Sequence, residues 1–439
     1  MPEKPSVFSG VTRYHWLVVI IAAAAWTFDC MDGRLFVLAR ESALGDLLRG
    51  RTNDPDVIKT YSGYATTSMI LGWATGGIFF GMMSDRVGRV KTMAVTLLMY
   101  SLFTGLSGVA VSWIDFTIYR FIVGLGVGGM FGAATTLVAE TVPGGFRPLA
   151  LGSLQFLAAF GNMAGSLVSL WIQPGAEESL FGLPGWRVLF FVGILPAFLV
   201  VPIIFMLKEP DAWIAMRSTP RDVKQVGSPA QLFTDKCWRR NSLVGLSLGL
   251  AGMVGLWGIG FFSPELITTA LKGEPQSRID EVRAFGTASQ DLGSFFGMLA
   301  FTLVASFVSR RLAFLAAFLL SFVTTGYVFH NLNTASDAYW MLPLMGFAQL
   351  SLFAGYAIYF PELFPTRLRG VGVGFCYNTV RYLAAPAPIL LGILSTAVSF
   401  RTAAVLMAGI YLIGAVALIW APETKGKPLP DDEPNPPNA

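Results

Sequence analysis

Six ionisable side chains stand inside stretches otherwise apolar enough to enter a lipid bilayer: Asp29, Asp32, Arg34, Arg120, Asp291 and Arg381. A charge at the bilayer centre costs about 2.5–3.5 kcal/mol on insertion scales, so such a residue faces a polar cavity or a partner. Asp29 and Asp32, in "WTFDCMDGRLFVLAR", are three residues apart and share one helix face. Two carboxylates so close in a low dielectric resist joint ionisation, which suits the pair to taking up and releasing a proton. Arg34 falls about nineteen residues into the same helix, roughly 28 Å along. There its long side chain is expected to reach the outer interface.

Arg381 lies in "CYNTVRYLAAPAP", four residues after Tyr377 and three after Asn378. One helix face therefore offers a hydroxyl, an amide and a guanidinium. The planar guanidinium fork matches a carboxylate or a phosphate. The competing arrangement is an internal pair with Asp291 of "SQDLGSF", which would leave no charge for a substrate. Tyr64, Gln155, Asn162, Trp257, Gln290, Gln349 and Tyr356 supply the aromatic and amide groups that a polar cavity needs, for a carboxylate or for a sugar.

What must position these residues is a set of membrane helices. The chain has 439 residues, 54% hydrophobic and 13% charged, against about 25% charged in soluble domains. A spanning helix needs about 20 mainly apolar residues, and the sequence predicts twelve, near 15–38, 61–84, 92–111, 114–139, 149–172, 187–207, 241–268, 284–309, 312–330, 338–361, 371–398 and 401–421. Lys4 and Arg13 precede the first as in a signal peptide, but no small-residue cleavage site follows, so an uncleaved span is expected. The polar gap at 208–240 divides an amino-terminal six-helix bundle (1–207) from a carboxy-terminal one (241–425), followed by a disordered cytosolic tail (426–439). Within the gap "SPAQ" reads as a helix start, with Ser228 as cap, Pro229 at the first position and Gln231 closing a capping box.

Lys and Arg gather in alternate loops: "DRVGRVK", Arg147, the central linker, Arg310 with Arg311, and Arg367 with Arg369. The positive-inside rule then places both termini in the cytosol of a multi-pass inner (cell) membrane protein. "AETVPGGFR" (Ala139–Arg147) and "PELFPTRLR" (Pro361–Arg369) share Glu, then Pro three residues on, then Arg seven residues on. Each follows the fourth span of its half. A parallel repeat with a binding site between the halves is a known transporter plan. At this offset Arg120 meets Leu342 and Arg381 meets Ala159. Charges that break the repeat suit coupling and recognition better than scaffolding.

The loop "GMMSDRVGRVK" (Gly81–Lys91) resembles the G-x-x-x-D-R-x-G-R signature of the major facilitator superfamily, with the last basic residue displaced from Val90 to Lys91. "RFIVGLGVGG" after Tyr119 is similar to that superfamily's R-x-x-x-G-x-G, through Arg120, Gly124 and Gly126. "LKEPDAW" and "PETKG" resemble its sugar-porter and organic-ion branches. Asp29-Cys30-Met31-Asp32 resembles the D-G-x-D element of aromatic-acid/proton symporters, with Cys30 in place of Gly. "FGNMAGSLV" lacks the Gly-Pro pair of antiporters, which favours symport or uniport.

The resemblance implies an all-α membrane protein of two pseudo-symmetric six-helix bundles, working by alternating access. It implies proton coupling through Asp29, Asp32 and Arg120, with the motif favouring Asp32 as proton carrier. The alternative is a static pair that holds the bundle. It also implies an organic anion held by Arg381 with Asn378, and inner-face gating by Gly81, Asp85, Arg86, Gly88, Arg89, Glu140, Arg147, Glu362, Arg367 and Arg369. Expected partners are a small, anionic substrate, protons and lipid, with the chain monomeric. A sugar or polyol symporter is the second reading, and a non-transporting receptor or scaffold the third. Two histidines, His15 and His330, give a metal almost no ligands. H-E-x-x-H and G-x-S-x-G are absent, so neither a cofactor nor enzyme chemistry is expected. The basic residues follow topology rather than forming a nucleic-acid surface.

Overall fold

A computed structural model describes residues 7–49, 51, 54–218, 226–384 and 386–430. The linker residues 219–225 and the tail from 431 lie outside the described residues. Among those described there are helices and no strands. The first half holds α1 (Arg13–Leu47), α2 (Pro55–Val87), α3 (Arg89–Ser107), α4 (Trp113–Thr141), α5 (Arg147–Ile172), α6 (Gly185–Val192) and α7 (Val200–Met206). In the linker lie α8 (Asp211–Ser218) and α9 (Gln231–Thr234). The second half holds α10 (Lys236–Gly258), α11 (Ser263–Ala270), α12 (Gln276–Phe307), α13 (Arg310–Asn331), α14 (Ala335–Glu362), α15 (Arg369–Gly374), α16 (Val380–Ala384), α17 (Ala387–Ala397), α18 (Phe400–Ala408) and α19 (Ile410–Ala417).

Ten described helical stretches are long and apolar enough to cross a membrane. The 33-residue α2 and the broken run α15–α17 occupy the places of predicted spans two and eleven. Spans six, seven, eleven and twelve are each built in pieces. Between α15 and α16, residues Phe375–Thr379 form a π-helical turn. Such wide turns recur at functional sites, and this one contains Tyr377 and Asn378. The predicted capping box at Ser228 does not form. Residues 228–230 make a turn, α9 begins only at Gln231, and the Gln231 side chain instead accepts a hydrogen bond from Arg367.

Small residues set the helix spacing. A Cβ on Gly72 or Gly76 would lie 2.1 or 2.0 Å from a carbonyl oxygen of α4, and one on Gly124 or Gly128 would lie 2.1 Å from a carbonyl oxygen of α2. The two backbones therefore touch, the close approach that small-xxx-small patterns permit.

The repeat is visible in matching contacts. The Glu209 carboxylate accepts from the backbone N–H groups of Arg89, Val90 and Lys91 and so caps α3. Glu423 accepts from the N–H groups of Arg310 and Arg311 and so caps α13. Each carboxylate meets the positive end of a helix. "LKEPDAW" and "PETKG" are thus the same device used once per half. Gly88, the tight connection before α3, has φ +129°, a conformation that suits glycine.

Candidate functional site

The acidic face of α1 divides between two partners. Asp32 is fully buried and its Oδ2 lies 4.0 Å from Arg120 Nη1. Arg120 donates to Ser107 Oγ at 3.1 and 2.7 Å. Its guanidinium stands 4.8 Å from the Phe190 ring centroid and 5.4 Å from that of Phe36. Asp32 and Arg120 do not hydrogen-bond each other at this distance among the described residues, and the Thr104 hydroxyl stands beside the carboxylate, so the pair is held by charge and aromatic enclosure rather than by a closed fork. Asp29 instead lies within electrostatic reach of Arg381, in the other half.

Arg381 is buried and donates to Asn378 Oδ1 and to the Tyr377 carbonyl, each at 2.8 Å. Its guanidinium lies 4.0 Å from the Trp73 ring centroid on α2. Tyr377 stacks on Phe131 of α4 at 3.9 Å. Gln155 accepts from Trp26 Nε1 at 3.1 Å and interacts with the Tyr377 hydroxyl. The cluster thus draws on α1, α2, α4 and α5 from one half and the π turn with α16 from the other. Arg381 Nε, Asn378 Nδ2 and Trp73 Nε1 are buried donors without a hydrogen-bond partner among the described residues. An unsatisfied buried donor costs about 1–3 kcal/mol, and here one belongs to the guanidinium itself and two lie beside it, against flat aromatic walls. The arrangement can receive a planar acceptor of negative charge.

Other predicted lining residues lie elsewhere. Tyr64 sits on the exposed face of α2, 55% exposed, edge-on to Tyr61, and no described contact joins it to the cluster. Asn162 is half-buried on α5, also without a described contact to it. Gln349 is buried inside the second half, donating to Thr325 Oγ1 at 2.9 Å. Gln290 packs against Gly346, between α12 and α14. Tyr356 is buried and donates to the Leu248 carbonyl at 2.7 Å. Asp291 does not pair with Arg381. It accepts from Arg34 Nη2 at 2.7 Å across the two halves, so Arg34 reaches a protein partner rather than the outer interface.

Trp73 and Phe131 were not among the predicted site residues. Phe131 follows Arg120 by eleven residues, about three turns of α4, a spacing that marks it as facing the same way. Gly77 carries no functional group, but a Cβ there would lie 1.9 Å from Asn378 Nδ2. It is the seat on which Asn378 rests.

The predicted gating residues meet at the basic end of the molecule, predicted to face the cytosol and so its inner end. Asp85 accepts from the N–H groups of Gly370 and Val371, each at 2.9 Å, capping α15 of the opposite half. It also pairs with Arg89 at 3.0 Å. Arg89 forks onto Glu140 with two 3.0 Å bonds, and Arg369 reaches Glu140 from across the divide. Arg310 forks onto Glu362 in the matching way at 3.2 and 3.0 Å. Arg147 donates to the Ala139 carbonyl at 2.9 Å, as Arg369 does to Pro361 at 3.0 Å. Arg86 and Arg367 bind the linker, through the Val226 carbonyl and Gln231. A Cβ on Gly81 would lie 2.6 Å from the Gly370 carbonyl oxygen, so the halves are in backbone contact there. The inner end is closed.

Comparison with known proteins agrees with this architecture. The family model described as Major Facilitator Superfamily matches residues 52–387. A cis,cis-muconate transport protein of Acinetobacter baylyi is 30% identical over 370 residues, covering 82% of this chain and 84% of that protein. The niacin transporter NiaP of the same organism is 25% identical over 448 residues, covering 95% and 96%. Among solved structures the proton:xylose symporter XylE, bound to 6-bromo-6-deoxy-D-glucose, superposes with TM-score 0.78 at 17% identity, covering 95% of this chain and 98% of that one. This last likeness shows the fold.

Proposed function

The chain belongs to the major facilitator superfamily, and from that premise we propose that this multi-pass transporter is a proton-coupled symporter of a small aromatic or other planar carboxylate. One observation carries the reading: a buried guanidinium, flanked by two further buried donors without a hydrogen-bond partner among the described residues, lies between aromatic rings from both halves. A carboxylate satisfies the donors, and a flat, conjugated body can stack on the rings of Trp73, Phe131 or Tyr377 once the 3.9 Å Phe131–Tyr377 stack opens to admit it. Muconate and niacin, carried by the two relatives, are both planar carboxylates. Proton coupling rests on Asp32 and Arg120: protonation of Asp32 removes the charge that holds Arg120 and frees α4 to shift against α1. With both termini in the cytosol, as the basic loops predict, uptake runs inward with the proton.

An Arg381 neutralised by Asp291 would have favoured the sugar reading, and Asp291 is engaged by Arg34 instead. The carboxylate reading is therefore preferred. Reconstituted in liposomes, the protein is expected to accumulate labelled benzoate or nicotinate when the outside is made acid. Asp32→Asn or Arg120→Ala is expected to abolish accumulation. Uptake indifferent to the pH gradient sinks the coupling, and uptake of xylose in preference to carboxylates sinks the substrate class.

A further inference from the structure

Apart from the inner-face contact between Arg369 and Glu140, one ion pair joins the two halves among the described residues: Arg34 Nη2 to Asp291 Oδ2 at 2.7 Å. Neither member has a charged counterpart under the internal repeat, whose offset places Leu256 and Met69 opposite them. Both side chains are partly exposed, 29% and 41%.

That exposure opens on the divide rather than on lipid. Around Asp291 on α12 the exposed positions are Phe285, Ala288, Leu292 and Phe296, whereas Asp291 belongs to the half-buried stripe Arg283, Thr287, Asp291 and Phe295. Phe295 of that stripe contacts Phe156 and Phe160 of α5, each at 5.7 Å. On α1, Arg34 lies five residues beyond Asp29, on the side away from the closed inner end. A glycine gives it room: a Cβ on Gly165 would lie 2.9 Å from the Cβ of Arg34. Cys30, one turn before Arg34, lies within electrostatic reach of both Asp29 and Arg34, so the pair stands next to the carboxylate site on its outer side.

We propose that Arg34 is a second anion-binding residue on the route to Arg381, and that Asp291 is a built-in stand-in for the substrate's carboxylate. An incoming carboxylate displaces Asp291 from Arg34, and in doing so loosens the contact between α1 and α12. Neutral solutes have nothing to exchange for Asp291, so the pair selects charge before the substrate reaches the deeper site. This inference rests on the carboxylate reading above.

The two are separable by equilibrium binding of nicotinate and of its neutral amide, nicotinamide, to the purified full-length protein at low and high salt. Asp291→Asn removes the internal competitor, and nicotinate is expected to bind roughly threefold tighter or more, the scale of a partly exposed ion pair. Arg34→Gln is expected to weaken nicotinate by at least as much and to leave nicotinamide unchanged. Asp291→Ser, smaller and neutral, is expected to repeat the Asp291→Asn result, and gel filtration checks that each variant is intact. Unchanged or weaker nicotinate binding in both Asp291 variants overturns the stand-in role. Equal weakening of acid and amide in Arg34→Gln reduces Arg34 to a structural clasp and also overturns it. Failure of the parent protein to bind any carboxylate overturns the earlier reading instead.

Discussion

Each buried charge has an identifiable counter-group, and the choice of counter-group assigns its task. Asp32 faces Arg120 within one half, so its protonation changes packing inside that half. Asp29 senses Arg381 across the divide, so its charge bears on the substrate site. Asp29→Asn is therefore expected to alter carboxylate affinity while leaving gradient-driven accumulation in place, and Asp32→Asn to do the reverse. Paired measurements of binding and uptake check this, and equal effects on both quantities would contradict it. Arg381→Lys keeps the charge but loses the planar fork. Transport is expected to fall by about tenfold or more, since a charge-assisted hydrogen bond is worth about 1.5–3 kcal/mol. The polar residues at risk of lying in the membrane were legible in the sequence because an ionisable group in an apolar run is conspicuous. Their partners were not. Arg34 and Asp291 are 257 residues apart, and no local pattern encodes a contact made only when the two halves meet.

At the scale of elements, the spans were legible from apolar length, whereas the breaks in spans six, seven, eleven and twelve were not. The π turn at Phe375–Thr379 reflects what surrounds the segment: Asn378 packs on Gly77, and a Cβ on Gly374 would lie 2.2 Å from the Gly77 carbonyl oxygen. Burial also misled for glutamine. Gln155 and Gln349 look alike in sequence, but one faces the divide and the other the interior of its own half. Gly77→Ala is expected to dislodge Asn378 and lower carboxylate binding, with overpacking costing about 1–3 kcal/mol. Gly33→Ala serves as the control, since nothing lies within 4 Å of a Cβ there. The caps allow a test against pH. Burial pushes the Glu423 carboxyl up, but the Ser309 hydroxyl and the N–H groups of Lys425, Arg311 and Arg310 outweigh it and hold the group below the usual range. Its stabilisation is therefore complete above about pH 4.3, the ordinary glutamate value, and is lost as pH falls through the lowered one. In detergent, Glu423→Gln is expected to melt below the parent at pH 7 by an amount matching a cap of about 1 kcal/mol. The gap should narrow as the pH falls below the ordinary glutamate range.

For the whole molecule, two carboxylates tie the inner end across the divide: Asp85 on the N–H groups of Gly370 and Val371, and Glu140 on Arg369. Glu140 takes Arg89 from its own half and Arg369 from the opposite one, whereas Glu362 takes Arg310 of its own half. Removing one partner of a buried pair costs about 3–5 kcal/mol. Glu140→Gln is therefore expected to open the inner end, and Glu362→Gln to lower stability without opening it. A cysteine at position 366, in a protein freed of Cys30, Cys237 and Cys376, reports this by its rate of maleimide labelling from the inner side. Equal labelling in the two variants would show that the crossing bond is not what closes the end. The closed inner end has a directional corollary. Among the described residues, Asp85 on α15, Arg369 on Glu140 and the Gly81 backbone contact give the inner end two charged ties and a backbone contact. Against these stand the Arg34–Asp291 ion pair, the Thr75–Tyr382 hydroxyl contact and the Phe295 ring contacts elsewhere between the halves. With the basic end in the cytosol, as proposed, an empty carrier closed at that end waits with its mouth toward the medium. Half-saturation is then expected at lower substrate concentration for entry than for exit, the asymmetry of a scavenger rather than a vent.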